Sequence, residues 1–389
     1  MLSDNEVLAI RARFPIFRQA IYLNSCSQGA LSDSVEKSML ELLEVWNRQG
    51  SPWDLWIEQY EIARKEFAEL IGADADEVAI VPSVSAGISS VATALDFSSR
   101  KRVLMGEFEF PTMGHVWMAQ QRRGANISFL QSEAGRIPAK KYAENINHET
   151  AIVPVTGVCF SNGFRSEIEE IVAAAHDKGA YVLLDDYQDC GTRPRDVKSL
   201  DLDFYTSGNL KYLLGAAGVA FLYVRRSLIE VLRPAVSGWF AQQSPFDFAT
   251  QRFEPATSAR RFESGTPPIP SIYLGLAGVR LLKEIGLTNV AEHVKRLTKE
   301  LRRGADELGI AIKTPSDSVG PLTVLKCKNV GAMIDHLGRA NVICSSRHDG
   351  LRISFHVYNT MDDVKVVLRT LETHLDLLCL ETQPAGTMM

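Results

Sequence analysis

Residues 78–95 read VAIVPSVSAGISSVATAL, and this stretch decides the fold class. Its first four residues are apolar and predict a short buried strand, the small residues of SVSAG predict a turn, and ISSVATAL predicts a helix. Comparable apolar runs recur further along, with helix-like segments such as residues 167–178 between them, at residues 102–105, 151–155 and 181–184. This alternation of strands and helices predicts a doubly wound α/β sheet.

Two further apolar segments, residues 204–206 and 219–224, bracket the loop GNLKYLLGAAG. They predict a strand pair whose connection contains Lys211. Ligands of doubly wound sheets gather at the carboxyl ends of the strands. We therefore expect four loops to converge on one site, those that follow Val81, Val155, Leu184 and Thr206.

The C-terminal third of the sequence predicts a second, smaller α+β unit. After the turn-rich SGTPPIPS of residues 264–271, a helical pattern with a break near its middle runs to Glu307, and shorter strand-like and helix-like segments follow. We predict the following division: a large domain over residues 21–274, a small domain formed by residues 1–20 and 275–380, and a disordered tail at residues 381–389.

The overall composition excludes several classes of function. The chain has 389 residues, of which 46% are hydrophobic and 23% charged, and its net charge of -5 gives no general attraction to nucleic acid or to anionic membranes. No apolar run is long enough for a membrane span, and the N-terminus lacks the pattern of a signal peptide. The six cysteines are scattered without metal-ligand or disulfide spacing. We predict a cytoplasmic protein without a metal site.

Lys211 is the first residue whose surroundings indicate chemistry. It alone among the lysines lies in a glycine-flanked apolar loop directly after a predicted central strand, whereas most others lie in charged helical segments. Partial removal from water lowers the pKa of a lysine and lets its amine form a Schiff base. Taken by itself, the same pattern is also compatible with a surface lysine beside a turn.

Other features of the sequence support a site around Lys211. Asp185 ends the apolar run YVLL and is suited to hold a protonated ring nitrogen, although aspartates are common in turns after strands. The SVSAG turn offers free backbone N–H groups and a helix dipole to an anion such as a phosphate monoester, without a P-loop lysine or a G-x-G-x-x-G spacing. Gln188 is a donor to a ligand or a solvated residue, and Phe110 is a core residue or a ring stacked on a planar ligand.

Nine motifs occur in a fixed order: YLNSCSQGALS, SVSAGI, EFEFPT, SNGFRSEIEEI, LLDDYQDCG, SGNLKYLLGAAG, SGWF, RRFESGTPPIPS and LRISFHVYNTMDD. Together they span Tyr22 to Asp363 and resemble the class V aminotransferase superfamily, which includes cysteine desulfurases, kynureninases and isopenicillin N epimerases. The resemblance implies a fold-type I α/β architecture with a mostly parallel seven-stranded sheet and a small α+β C-terminal domain. It also implies pyridoxal 5′-phosphate as cofactor and a homodimer with shared active sites.

The resemblance assigns cofactor contacts to residues that match the motifs of the family. Lys211 resembles the Schiff-base lysine, Asp185 the partner of the pyridinium nitrogen, and Phe110 the residue stacked on the ring. The remaining matches concern the phenolic oxygen and the phosphate: Gln188 and Asn162 for the former, and Ser85, Ala86 and Ser207 for the latter.

Other matches concern the substrate and the neighbouring subunit. Arg352 resembles the arginine that grips the substrate carboxylate, for which a planar guanidinium is the best geometric partner. Asn24 lies in the N-terminal loop that approaches the substrate. Thr266 resembles a residue that reaches the phosphate of the neighbouring subunit, and Trp239 a tryptophan near the same phosphate. Trp239 and Thr266 are also compatible with simple packing roles.

Departures from the family pattern bear on the reaction. Many desulfurases and aminotransferases place a histidine where this chain has Phe110, and desulfurases carry a histidine where it has Leu210, so Asn209 is a possible replacement for one phosphate contact. A desulfurase also needs a mobile catalytic cysteine. Cys344 lies in a short segment that reads as strand plus turn, which favours a buried structural cysteine and disfavours persulfide chemistry.

The sequence therefore predicts a pyridoxal-phosphate-dependent enzyme that acts at the α-carbon of a small amine or amino acid, as an aminotransferase or a C–S or C–C lyase. The alternatives are a kynureninase-like hydrolase, an amino-acid epimerase, or a catalytically silent protein that binds pyridoxal phosphate as a sensor or scaffold. A nicotinamide oxidoreductase is disfavoured because the glycine fingerprint is missing.

Overall fold

A computed structural model describes residues 2–381 of the chain, so residues 382–389 of the predicted tail lie outside the described part. The strands are β1 (Ile21–Tyr22), β2 (Val78–Val81), β3 (Arg102–Gly106), β4 (Asn126–Leu130), β5 (Thr150–Thr156), β6 (Tyr181–Asp185), β7 (Phe204–Gly208), β8 (Ala220–Val224), β9 (Leu322–Lys326), β10 (Val342–Ile343), β11 (Ser345–Arg347) and β12 (Gly350–Ser354).

The α-helices between and after these strands are α1 (Asp4–Ala12), α2 (Asp33–Gln49), α3 (Trp53–Leu70), α4 (Val84–Ala94), α5 (Pro111–Ala119), α6 (Ala139–Asn145), α7 (Ile168–Asp177), α8 (Arg226–Val231), α9 (Ile269–Ile285), α10 (Leu287–Glu307), α11 (Val330–Arg339) and α12 (Met361–Glu372).

A seven-stranded sheet forms the centre of the molecule, in the order β2-β8-β7-β6-β5-β3-β4. Strand β8 runs antiparallel to both of its neighbours, and the other pairings are parallel. Every residue of β5, β7 and β8 is buried, as expected for strands covered by helices on both faces. The predicted α/β class with a mostly parallel seven-stranded sheet is confirmed.

The C-terminal part contains a smaller antiparallel sheet in the order β11-β12-β9, on which α10 and α11 pack, and α12 packs against these two helices. The predicted break in the long helical pattern is also confirmed. It falls at Gly286, whose φ of 84° lies in the region that favours glycine, and it separates α9 from α10.

The N-terminal segment pairs with the smaller unit, where β1 and β10 form a two-stranded sheet. Strand β1 pairs in parallel with β10, and the Ser354 N–H donates to the Leu23 carbonyl at 3.0 Å. The predicted boundary after residue 20 therefore lies immediately before a strand that pairs with the smaller unit, and the boundary after residue 274 falls inside α9. The division into domains stays a prediction.

Two further observations concern the class of protein. All six cysteines are free thiols. Among residues 2–381, no helix has the combined length and hydrophobicity that crossing a bilayer requires.

Candidate active site

A cavity of about 300 Å³ opens at the carboxyl ends of β2, β5, β6 and β7. The four loops predicted to converge all contribute to its wall, through Ser83 and Ser85, Thr156, Asp185 and Lys211. Phe110 and Phe160 line it as well. This position is the usual one for ligands of doubly wound sheets.

The amine of Lys211 lies inside this cavity between two aromatic rings. Its Nζ is 4.3 Å from the centre of the Tyr187 ring and 5.7 Å from that of Phe110. Burial lowers the pKa of Lys211 to about 8, and the charges of Arg352 and Arg347 act in the same direction, whereas Asp185 opposes them. With this pKa, about a tenth of the amine is unprotonated at pH 7, and this is the form that a nucleophilic lysine uses.

Asp185, the last residue of β6, lines the same cavity. One of its carboxylate oxygens accepts a hydrogen bond from the Tyr187 N–H at 3.0 Å. Burial raises the pKa of Asp185 to about 6, against the opposing effects of that hydrogen bond and of Lys211. At neutral pH the side chain is a poorly solvated carboxylate, and a cationic partner would stabilise it.

Asp186 points to the other side of the strand end. Its carboxylate forms two hydrogen bonds with Arg195, both of 3.0 Å, and accepts a third from the Tyr205 hydroxyl at 3.1 Å. The two adjacent aspartates are thus in different environments: Asp186 is fully paired, and Asp185 faces the cavity.

The SVSAG turn leads into α4 with its N-terminus at the cavity. Ser83 is the N-cap, and its hydroxyl accepts the Ala86 N–H at 3.1 Å. The Ser85 hydroxyl lies 3.1 Å from the hydroxyl of Thr112, which stands in the first turn of α5. Two helix starts and two linked hydroxyls therefore converge on this end of the cavity, an arrangement suited to an anion.

Phe110 is 44% exposed and stands edge-on to Phe160, with ring centres 5.2 Å apart. Its position favours a stacking ring over a core residue. Gln188 is buried, donates through Nε2 to the Cys26 carbonyl at 3.1 Å, and has an Oε1 without a partner within residues 2–381. The structure therefore brings Lys211, Asp185, Phe110, Gln188 and the turn at Ser85 together, as predicted.

Arg352 lies on β12 and is only 1% exposed. Its Nη2 donates to the hydroxyls of Ser27 and Ser345, each at 2.8 Å, and its Nη1 donates to the Phe160 carbonyl at 3.2 Å. The Nε–H has no partner in the described part of the chain. Arg352 is not among the residues that line the 300 Å³ cavity, and its two free donors, the Nε–H and one Nη1–H, point to opposite sides of the guanidinium. A bidentate carboxylate contact would therefore have to displace one of the serine hydroxyls from Nη2.

The N-terminal loop that carries Asn24 is fixed against the Lys211 loop. Asn24 forms a bridge with Ser354, and the Gly29 N–H donates to the Leu210 carbonyl at 2.8 Å. A Cβ atom on Gly29 would lie 2.3 Å from the Lys211 carbonyl oxygen, so only glycine allows this contact. The loop therefore closes one side of the site.

Several predicted contacts are not brought to the cavity wall. Asn162 uses both ends of its amide in bonds to Gly135 and Phe164. Ser207 faces Cys190, and its hydroxyl donates to the Gly208 carbonyl. The roles of Asn162 and Ser207 stay predictions that this arrangement does not support.

Six more predicted residues are also absent from the cavity wall: Asn24, Ala86, Asn209, Trp239, Thr266 and Arg352. Asn209 is fully buried, close to Gly215 and Gly275, and is poorly placed to replace a phosphate contact. Trp239 packs in an aromatic group with Trp53 and Phe240, and Thr266 is exposed. Roles of Trp239 and Thr266 in a neighbouring subunit stay predictions.

Sequence reasoning missed three residues at or behind the cavity: Thr112, Tyr187 and Glu109. Glu109 is buried, and one of its oxygens accepts the Thr156 N–H at 3.0 Å. Burial and the neighbouring Asp185 hold the pKa of Glu109 well above its usual range, which favours its neutral form. An acidic residue between two phenylalanines in EFEFPT was the available signal.

Cys344 lies between β10 and β11 and is partly buried. Burial raises the pKa of its thiol to about 12. The predicted strand and turn are present, and a thiol so far from ionising is a poor nucleophile.

Comparison with known proteins gives the family. A family model described as Aminotransferase class-V matches residues 44–367. The chain is 36% identical over 356 residues to the uncharacterised aminotransferase YcbU of Bacillus subtilis, covering 91% of this chain and 94% of that protein. It is 28% identical over 323 residues to a kynureninase of Deinococcus radiodurans, covering 80% and 77%. The apo structure of a cysteine desulfurase from Thermococcus onnurineus shares the fold, with a TM-score of 0.86 at 22% identity over 97% of this chain and 99% of that one.

Proposed function

The chain belongs to the class-V aminotransferase family, an enzyme family that uses pyridoxal 5′-phosphate, and on that premise we propose that it acts at the α-carbon of a small amino acid as an aminotransferase or lyase. One observation carries the proposal: a lysine amine with a lowered pKa and a carboxylate with a raised pKa line the same cavity. A bound pyridoxal ring would use the amine as its point of attachment and the carboxylate as the partner of its ring nitrogen.

The residues present suit this cofactor. The helix start at Ser85 suits the phosphate, the exposed ring of Phe110 suits a planar heterocycle, and Asp185 suits a protonated ring nitrogen. The unpartnered oxygen of Gln188 leaves one buried polar atom for a ligand to satisfy. The amine of Lys211 is placed to carry the cofactor.

When bound, pyridoxal 5′-phosphate supplies an electron sink for a bond broken at the amino-bearing carbon. Lys211 then has a second task, because its amine, partly unprotonated at neutral pH, can accept a proton from that carbon at Nζ. Asp185 would supply the negative charge that a protonated ring nitrogen needs. Arg352 orients the substrate through its carboxylate, and Phe110 and Phe160 keep water from one face of the site.

The reaction type is tested with the cofactor-loaded protein and each common amino acid. Aminotransfer converts the amino acid to its 2-oxo acid without releasing ammonia, whereas lyase chemistry releases a fragment of the side chain. Mass spectrometry of the products distinguishes these from epimerisation and from kynureninase-like hydrolysis. A protein that binds the cofactor yet changes no amino acid would support the silent sensor or scaffold instead.

We expect Arg352→Ala to lower kcat/KM for a carboxylate-bearing substrate about 10- to 150-fold, the loss of a bidentate charge-assisted contact of roughly 1.5–3 kcal/mol. Arg352→Lys should recover little, because an ammonium lacks the planar pair of donors. Cofactor affinity should change far less than KM.

Arg347 provides the matched control for this experiment. It lies on the same hairpin, is exposed, and donates to the Ser346 carbonyl at 2.7 Å. Arg347→Ala should leave kcat/KM within about twofold, as expected for an exposed surface side chain. If Arg347→Ala is the damaging change, the carboxylate contact belongs to Arg347.

We further propose that the protein is a cytoplasmic homodimer whose subunits complete each other's sites. Large apolar side chains are exposed around the segment that follows Trp239, including Phe246, Phe248 at 72% and Phe253 at 58%, with Trp46 also exposed. A group of this kind is typical of a protein interface. Thr266 is exposed in the neighbouring ESGTPP segment, where a second subunit can be reached.

Sedimentation equilibrium should give a mass near twice 43.1 kDa for the native protein. Phe253→Asp should weaken that association and the activity together, because it places a charge in the apolar surface. Phe129→Asp changes a similarly exposed phenylalanine on β4, at the other edge of the sheet, and should leave both unchanged. A fully active monomer would remove Thr266 from the site.

A further inference from the structure

Tyr187 lines the cavity, and its side chain lies across the end of the neighbouring strand β7. A Cβ atom on Gly208 would fall 2.2 Å from Cζ of Tyr187 and 2.4 Å from its hydroxyl oxygen. The tip of the phenol thus occupies the space that any side chain at position 208 would need. Gly208 is therefore required for Tyr187 to place its hydroxyl at the start of the Lys211 loop.

The hydroxyl of Tyr187 is not among the sealed polar atoms of residues 2–381, and on the cavity wall it is open to a ligand. Burial raises the pKa of the phenol to about 12, while contact with the Leu210 backbone N–H works against this. The phenol is therefore protonated at neutral pH, and its oxygen faces an amide donor. A donor left free on a cavity wall favours an anionic oxygen as its partner.

The other groups of the cavity restrict which anion this is. The start of α4, the linked hydroxyls of Ser85 and Thr112, and Lys211 line the same 300 Å³. We propose that the Tyr187 hydroxyl, which lies in the space that Gly208 leaves at the end of β7, donates a hydrogen bond to the phosphate of the cofactor. This proposal rests on the proposed function, because it takes pyridoxal 5′-phosphate to be the ligand of this cavity.

The test compares ligands with and without the phosphate. Apparent dissociation constants for pyridoxal 5′-phosphate and for pyridoxal are measured by equilibrium dialysis with native protein and with Tyr187→Phe, which keeps the ring beside Lys211. We expect Tyr187→Phe to weaken binding of the phosphate ester about tenfold or more and to leave binding of pyridoxal unchanged. The ³¹P resonance of the bound ester should shift as well.

Two further variants separate this role from a structural one. Tyr205→Phe removes a buried hydroxyl bonded to Asp186 and should leave the ratio of the two dissociation constants unchanged. Tyr187→Ala should lose phosphate affinity, and adding Gly208→Ser should restore part of it by returning a hydroxyl to the vacated space. Equal losses for both ligands in Tyr187→Phe, or no loss, would overturn the proposal. Failure of the native protein to bind pyridoxal 5′-phosphate would instead overturn the proposed function.

Discussion

Lys211→Ala should abolish covalent attachment of pyridoxal 5′-phosphate and slow turnover at least about a thousandfold, because one amine serves both as attachment point and as proton acceptor. Borohydride treatment of the native protein followed by peptide mapping should place the cofactor on Lys211. The same treatment of Lys211→Ala should leave the cofactor removable by dialysis.

Lys211→Arg is the matched control, since arginine keeps a positive charge but is never deprotonated in proteins. It should retain the fold and lose attachment as completely as the alanine variant. In the native protein, attachment should accelerate between about pH 6 and 9, because the pKa of Lys211 is about 8 and the reactive amine is the unprotonated form. A cofactor found on another lysine would refute the assignment of the site.

The parallel core was predictable because its strands are continuous apolar runs. Strands β5 and β6 are almost wholly buried and contain the apolar runs AIVPV and YVLL, whereas the equally buried β7 reads FYTSG and is apolar only at its start. Strand β4 gave no such signal: it lies at the edge of the sheet, and Asn126 and Phe129 in it are exposed. Loops at the carboxyl ends of the buried strands must then converge, so Asp185 and Lys211 were expected to meet.

Contacts that depend on the direction of one side chain were not predictable in the same way. Successive residues of a strand face opposite sides, so Ser207 points to Cys190 while position 208 faces the cavity. The motif that contains Ser207 does not reveal this difference of one residue. Tyr187 was missed because its position depends on a glycine 21 residues later in the sequence.

Two variants test directly which of the adjacent residues Asp185 and Asp186 faces the cofactor. In Asp185→Asn the shape is nearly unchanged, but the variant lacks the charge that we propose keeps the cofactor's ring nitrogen protonated. We expect the cofactor-loaded variant to exchange the substrate α-proton with solvent at least about a hundredfold more slowly, equivalent to roughly 2.7 kcal/mol of barrier. Cofactor binding should weaken only moderately, because the loss falls on the transition state.

Asp185→Asn should make the cofactor-free protein more stable at pH 7, although it slows proton exchange in the loaded enzyme. The pKa of Asp185 rises from 3.8 to about 6 on folding, so its contribution to stability is present below about pH 4 and is lost as the pH rises towards 6. At pH 7 the buried charge costs the cofactor-free protein on the order of 3 kcal/mol. Cofactor-free Asp185→Asn should therefore melt at a higher temperature than the native protein at pH 7, and at a similar temperature near pH 4.

Asp186→Asn should lower stability and leave proton exchange unchanged, the reverse of what we expect for Asp185→Asn. Its carboxylate is bonded to Arg195 and to Tyr205, so an amide leaves a buried guanidinium less well paired and lowers the melting temperature. Proton exchange at the substrate α-carbon should stay near the native rate, because Asp186 faces away from the cavity. A variant that binds the cofactor with reduced stability and native exchange would support this register. Slow exchange in Asp186→Asn together with native exchange in Asp185→Asn would assign the ring nitrogen to Asp186, and would move the strand end by one residue.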